Sequence, residues 1–331
     1  MKFIINGSSG FVGKVLVKHL SEKGYNGWVV SRSEMIDVPN QWLSVKRDQW
    51  FGDDRSCLPE GDMCLINLEV KHHVAAPSVD DLKSFRQVNV EGLQQWLKWC
   101  QDHGVHRVIS FSSIKSVRSS DTILDETAIG PGDSPYGASK WEAEKLLSEW
   151  VSKDKNRSGL VIRPAVIYGP GNLANMYSFV SAIHRRRFFL IGGSGNVKSL
   201  VSLQNVVSAV NHLAMKMVPG FHIYNLVDSN SYTVAELASM IAGAFGKEGR
   251  FKSLPLWLAR CFARVGDVME WGLGRAPLTT RRLNALIETS AFSGHKLIEA
   301  GFTHPQTTRE GIAELVDWYL KEGKGKNAVH H

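Results

Sequence analysis

Tyr136 and Lys140 stand four residues apart in the stretch "SPYGASKWEAEKL". On a helix that spacing brings both side chains to one face. A phenol and an ammonium held together suit proton transfer at a carbinol oxygen, the step that must accompany a hydride leaving or joining the carbon. A free tyrosine has a pKa of ~10, too high for a base at neutral pH. An ammonium close by favours the phenolate, and lowering the pKa by about three units takes roughly 4 kcal/mol. Upstream, "RVISFSSIKSV" reads as a strand ending in Ser112-Ser113, where a hydroxyl could hold the substrate oxygen. Tyr and Lys at this spacing also arise on solvated helix faces, so the elements around them must separate chemistry from coincidence.

A second constellation opens the chain. In "KFIINGSSGFVGKVLVKHL" a short apolar run drops into a turn with Gly7, Gly10 and Gly13 three apart, then resumes at helical spacing. In a strand-turn-helix the first glycine permits a sharp turn and the second lets the backbone approach a pyrophosphate. The third lets the helix pack close to the sheet. The free N–H groups and the positive end of the helix then face the phosphates.

The elements that must position these residues alternate through the first half. Strands are expected at Phe3–Ile5, Trp28–Ser31, Trp42–Lys46, Met63–Asn67, Val105–Ser112 and Leu160–Arg163. Helices are expected at Lys14–Lys23, Leu82–Gln101 and Ser139–Trp150. Apolar strands alternating with such helices predict an α/β fold with a doubly wound parallel sheet. The ends of its strands collect at one edge, where Ser113 and Tyr136 could meet over a ligand. After Tyr168-Gly169-Pro170-Gly171 the pattern loosens into shorter helices at Met176–Arg186, Val234–Phe245, Leu256–Met269 and Arg309–Leu320. The expected division is a dinucleotide-binding domain of 1–169, rejoined by 202–228, and a smaller, mostly helical substrate lobe of 170–201 and 229–327.

Composition narrows the function classes. With 331 residues and 43% hydrophobic content the chain can bury a full core. It has no run of eighteen apolar residues, so no membrane span is expected. Asn6–Gly10 breaks the opening apolar run after three residues, which argues against a signal peptide. Cys57, Cys64, Cys100 and Cys261 are scattered without a C-x-x-C, which suits free thiols in a reducing compartment and a cytoplasmic protein. A net charge of +7 fits an anionic small molecule and is too weak to argue for nucleic acid. His72-His73 lack a further ligand at metal spacing, so no metal is expected. The terminal His330-His331 reads as a tag stub and is set aside.

Together these motifs resemble the extended short-chain dehydrogenase/reductase family, of the NAD-dependent epimerase/dehydratase type, and the resemblance runs along essentially the whole chain. It implies a Rossmann-like fold and a catalytic set of Ser113, Tyr136 and Lys140. Asn89, in "VNVEG", resembles the family's asparagine that fixes the active-site backbone. The cofactor would be held by Gly7, Ser9, Gly10, Phe11, Val12 and Gly13 in the turn, and by Ser31, Arg32 and Asp48 at the adenine end. Leu68, Tyr136, Lys140 and Pro164 would line the nicotinamide side. The substrate would meet Ser113, Tyr136, Asn175 and Lys198, the last two at positions where relatives contact the diphosphate. Asn6 replaces the usual Thr and is expected to bond the turn backbone. Glu69 stands where relatives carry a small residue beside the cofactor, a departure that bears on the cofactor contacts. The run Arg185-Arg186-Arg187 is expected to be a solvated basic face.

Strand two ends in Ser31-Arg32-Ser33, where NAD-preferring relatives place an acid. An arginine there can grip a 2′-phosphate through charge-assisted bonds of roughly 1.5–3 kcal/mol, or about ten- to a hundredfold in favour of NADP. The expectation is therefore NADPH-dependent reduction of a nucleotide-linked 4-keto sugar, with a UDP-linked sugar as substrate. A UDP-hexose 4-epimerase with bound NAD is the alternative. A non-turnover nucleotide-binding protein and a reductase of an apolar ketone stand behind it. A homodimer is compatible with a sequence that does not fix the oligomeric state. For the amphipathic segment Leu254–Met269, containing Trp257, core packing is expected ahead of an apolar ligand or a membrane surface.

Overall fold

The computed structural model of the protein describes residues 1–32, 37–52, 61–71, 79–273 and 278–326. Ser33, Cys57, His72-His73, His330-His331 and the lobe boundary at 327 lie outside them. Seven strands form one fully parallel sheet: β1 (Lys2–Asn6), β2 (Gly27–Ser31), β3 (Trp42–Lys46), β4 (Met63–Asn67), β5 (Arg107–Phe111), β6 (Ser158–Pro164) and β7 (Gly220–Leu226). Their spatial order is β7-β6-β5-β4-β1-β2-β3. The order reverses between β1 and β4, which opens a crevice beyond their carboxyl ends. The seventh strand, "GFHIYNL", alternates too weakly to announce itself, and its place is set by pairing along β6 from Gly220↔Ser158 to Leu226↔Pro164.

Strands β2, β4 and β6 are buried at every position, as a parallel sheet covered on both faces requires. One face packs Phe3, Ile5, Ile66 and Ile109 against Leu16 and Leu20 of the helix Phe11–Glu22 and Val206 and Val210 of the helix Leu203–Met215. The other packs Ile4, Leu65 and Val108 against Trp96 of the helix Gly92–Asp102 and Leu147 of the helix Pro135–Ser152. Trp28, Trp50, Trp96 and Trp99 cluster there, with ring centroids 5.1–6.2 Å apart. The expected helix over Leu82–Gln101 is interrupted: Val79–Arg86 and Gly92–Asp102 are joined by a π-helical turn, Gln87–Glu91, that carries Asn89.

A third cluster, with Tyr177, Val180, Leu237, Ile241, Ile312 and Leu315, knits the helices Asn175–His184, Val234–Ala244 and Thr308–Trp318. Buried Asp228, just past β7, ties these helices to the sheet edge. Its carboxylate accepts from Tyr168 Oη (2.8 Å), Thr308 Oγ1 (3.0 Å), Asn205 Nδ2 (2.7 Å) and the Ser202 amide (3.0 Å). Among the described residues, no helix is long and apolar enough to cross a membrane.

Candidate active site

The glycine turn sits where β1 hands over to the first helix, at the crevice. Gly7 has φ +82°, a left-handed conformation that favours glycine, and a side chain there would meet the Glu69 amide at 2.8 Å. Gly13 is tight for a different reason, since its Cβ would lie 2.5 Å from the Gly7 carbonyl and 2.7 Å from Ser8 Cα. Gly10 is exposed and caps the helix with no side-chain bond, and within the protein its Cβ would touch only the Gly7 carbonyl, at 3.3 Å. An uncapped helix start above an open backbone is a cradle for an anion, and a dinucleotide pyrophosphate fits it. The first helix therefore begins at Phe11, three residues before the expected Lys14, so that Phe11, Val12 and Gly13 supply its first turn.

These glycines carry a prediction. Gly10→Val should leave the melting temperature nearly unchanged while abolishing dinucleotide binding, because its methyl groups project into the ligand's space. Gly13→Val should instead disrupt the turn and lower stability. Thermal melts with and without dinucleotide separate the two, and a Gly10→Val protein with undiminished affinity would remove the turn from the binding site.

Around the crevice the other residues fall into place unevenly. Ser9 is exposed beside Gly10, Ser31 is buried at the end of β2, and Arg32 is exposed just beyond it with no ion pair among the described residues. Leu68 is buried, its amide donating to the Asn6 carbonyl at 2.9 Å, and Pro164 closes β6. Asp48 points to solvent, its carboxylate accepting from the Gln49 amide at 3.0 Å. The neighbouring Arg47, which the sequence did not single out, turns inward and pairs with Glu69. Glu69 also accepts from Asn6 Nδ2 at 3.1 Å, and Asn6 donates to Asn67 Oδ1 at 2.7 Å. Asn6 thus bonds side chains across the switch point rather than the turn backbone, because Asn67 and Glu69 offer better acceptors. The departure at Glu69 is answered by Arg47, an acid and a base that neutralise one another beside the glycine turn.

Tyr136 lies in the first turn of the helix Pro135–Ser152, which Ser134 caps through the Gly137 amide (3.1 Å) and Pro135 starts. Ser113 leaves β5 in an extended conformation, and its hydroxyl bonds to the Tyr136 phenol. Lys140 is buried and donates to the Phe111 carbonyl at 2.8 Å, so it is held at the carboxyl end of β5. Strand end and helix start thereby converge as the spacing of the motifs suggested. Asn89 does its work one step back: Nδ2 donates to Ser139 Oγ (2.9 Å) and Oδ1 accepts the Lys71 amide (3.1 Å). Ser139 in turn donates to the Tyr136 carbonyl, so the π-helical turn braces the helix that carries the phenol.

The electrostatics differ from the sequence-based picture. Burial pushes the Tyr136 phenol up to about 12, with the Ser113 bond pulling the other way. Burial also draws Lys140 down to about 8, against the raising influence of Glu144 and Glu69. The ammonium is engaged with a main-chain carbonyl, and desolvation, not the lysine, governs the phenol here.

Behind this trio lies a buried network the sequence reading did not identify. Glu144 binds Arg163 through Nε (3.0 Å) and Nη2 (2.6 Å) and accepts from the Ser112 hydroxyl. The signal was there: an arginine in the apolar run "LVIRPAV" needs a buried acid, and Glu144 follows Lys140 by four.

A solvent-open cleft is lined by Ile114, Lys115, Asp133, Ser134 and the stretch Glu288–Phe292. It lies beside Ser113 and the start of the Tyr136 helix. Lys198 approaches the same wall, donating to the Ala285 carbonyl at 3.1 Å; burial lowers its pKa, and Glu288 opposes this. Asn175 is exposed at the start of its helix, and Arg185–Arg187 are exposed as expected. No group of three or more metal-ligating side chains occurs among the described residues.

The model of the NAD dependent epimerase/dehydratase family matches residues 3–226. An N-acetyl-alpha-D-glucosaminyl-diphospho-ditrans,octacis-undecaprenol 4-epimerase of Escherichia coli O157:H7 is 26% identical over 327 residues, covering 97% of this chain and 96% of that protein. UDP-glucose 4-epimerase of Vibrio cholerae is 28% identical over 335 residues, covering 96% and 95%. The structure of MoeE5 in complex with UDP-glucose and NAD has the same fold, with a TM-score of 0.73 at 21% identity over 98% of this chain and 100% of that one.

Proposed function

The chain belongs to the NAD dependent epimerase/dehydratase family, and from that premise we propose that it is a 4-epimerase of a hexose carried on a diphosphate. The observation that carries this reading is the convergence of Ser113, Tyr136 and Lys140 at the end of β5, beside the glycine turn and the Lys115–Lys198 cleft. Two relatives that match nearly end to end are 4-epimerases, and both their names contain a sugar on a diphosphate. A nicotinamide dinucleotide fits the turn, and when bound supplies a hydride acceptor, a hydride donor and, in its oxidised form, a positive charge. The protein's own part is proton work. Tyr136 accepts the proton of the 4-hydroxyl as the carbon is oxidised and returns it when the opposite face is reduced, and Ser113 holds the same oxygen. Lys140 supplies charge at the strand end, and Asn89 positions the helix through Ser139. Lys198, beside the cleft wall, and Asn175, exposed at the start of its helix, are proposed as contacts to the diphosphate.

Incubation with UDP-glucose or UDP-N-acetylglucosamine and catalytic dinucleotide should yield the C4 epimer, separable by chromatography, with no net consumption of reduced cofactor. Consumption of NADPH in proportion to a 4-keto sugar, with no epimer formed, would overturn this reading in favour of net reduction.

Net reduction is the second reading, and one observation favours it: Arg32 is exposed at the end of β2, with no ion pair among the described residues, where it could meet a 2′-phosphate. Arg32→Asp should lower the NADPH/NADH affinity ratio about ten- to a hundredfold in a fluorescence titration, given roughly 1.5–3 kcal/mol for the lost bonds. An unchanged ratio would take away the support for an NADPH-dependent reductase.

A further inference from the structure

The helix Leu256–Leu273 packs one face into the core, as expected, but leaves its larger apolar side chains outside. Its inner face is narrow, with Ala259 and Ala263 set against Leu283 of the helix Thr280–Ile287. The outer face is apolar and open: Trp257 is 67% exposed, Phe262 55%, Val265 59%, Val268 68% and Met269 40%. With exposed Cys261 these side chains fall within an arc of roughly 140° at 3.6 residues per turn. Exposed Arg260 and Arg264 border that arc along one edge. The acids of the helix face elsewhere and are engaged. Asp267 accepts from the Thr280 amide at 2.9 Å and from its hydroxyl, and Glu270 pairs with Arg282 at 3.9 Å.

We infer that this face docks on an anionic lipid bilayer, with Trp257, Phe262, Val265 and Val268 in the headgroup boundary and Arg260 and Arg264 against lipid phosphates. A long apolar stripe with Trp and Phe, bordered by arginines and free of unpaired acids, is the pattern of a helix lying in a membrane interface. A second copy fits less well, because a basic border without an acidic counterpart on the same face does not complement itself. Position adds a reason. The helix Thr280–Ile287, on which the docking helix rests, leads directly into Glu288–Phe292 of the cleft wall and offers the Ala285 carbonyl to Lys198. Docking therefore brings the cleft to the bilayer surface. There, resting on the 4-epimerase reading, it would receive a sugar whose diphosphate is esterified to a membrane lipid.

Flotation of the full chain with phosphatidylglycerol-containing vesicles tests the docking, and turnover of a soluble UDP-sugar without vesicles tests the reading beneath it. The wild type should float with the anionic vesicles, and much less with pure phosphatidylcholine or at high salt. The variant Trp257→Ser/Val268→Asp should lose flotation while keeping soluble turnover. The variant Arg260→Glu/Arg264→Glu should lower partitioning roughly tenfold or more. Absence of flotation by the wild type, or flotation of both variants to the wild-type extent, would overturn the docking. So would a dimer in solution that Val268→Asp dissociates, without vesicle binding in the wild type. Flotation without epimerisation of any sugar diphosphate would sink the epimerase reading and leave the docking surface standing.

Discussion

Tyr136→Phe is expected to retain dinucleotide binding and to lower turnover by about 10²–10⁴-fold, the range for losing a positioned general acid–base. The loss should fall on the maximal rate more than on the Michaelis constant, because in the proposed mechanism the phenol acts on the reacting oxygen while Ser113 holds the substrate in the ground state. The protein environment sets the scale of the problem. Burial holds the phenol at about 12, and the Ser113 bond only partly offsets it. On the proposed reading Tyr136 would act as a base near neutral pH, and an oxidised nicotinamide, when bound, would supply a positive charge that lowers its value. Comparing phenolate absorbance of wild type and Tyr136→Phe against pH should assign a titration near 12 to the unliganded protein and a lower one after oxidised dinucleotide is added. Turnover by Tyr136→Phe near the wild-type rate would move the proton to another group.

The second large effect concerns the buried ion pair behind the site. Arg163 and Glu144 have side chains only 1% and 3% exposed, respectively, and the Ser112 hydroxyl donates to the same carboxylate. Glu144→Ala leaves the Arg163 guanidinium buried and uncompensated, which costs about 3–5 kcal/mol. A fall in melting temperature on the order of 10 °C is expected. The triple variant Ser112→Ala/Glu144→Leu/Arg163→Met removes the ion pair and the hydroxyl on it together and should recover most of the loss, since apolar groups of similar volume replace buried pairs nearly neutrally. It should not recover full turnover, because Glu144 also raises the Lys140 pKa and Ser112 anchors the strand end beside Ser113. Melting of Glu144→Ala at the wild-type temperature would show that the pair contributes nothing to stability.

Two features of this chain resisted sequence reasoning, for distinct reasons. Arg47 and Glu69 lie on different strand ends and meet only because β3 and β4 stand on either side of β1 and β2 in the sheet. No local spacing predicts that meeting. The strand Gly220–Leu226 was likewise hidden, since its residues are largely half-buried at the sheet edge and pair only with β6. An edge strand covered on fewer sides needs less regular apolar patterning.

What the sequence by itself determined was local. The three glycines announce a turn because only a residue without Cβ tolerates φ +82° at Gly7 and contact distances near 2.5 Å at Gly13. Tyr136 and Lys140 share a helix face by the helical repeat, and fully apolar strands imply a sheet covered on both sides. The tertiary structure decided everything that depends on what lies opposite. It turned Lys140 toward the Phe111 carbonyl, set Arg47 against Glu69, and left Trp257, Phe262, Val265 and Val268 exposed. An amphipathic period states that a helix has two faces, and only packing states which one meets the protein. Here two alanines gave the closer fit to Leu283, so the larger apolar side chains were left outside.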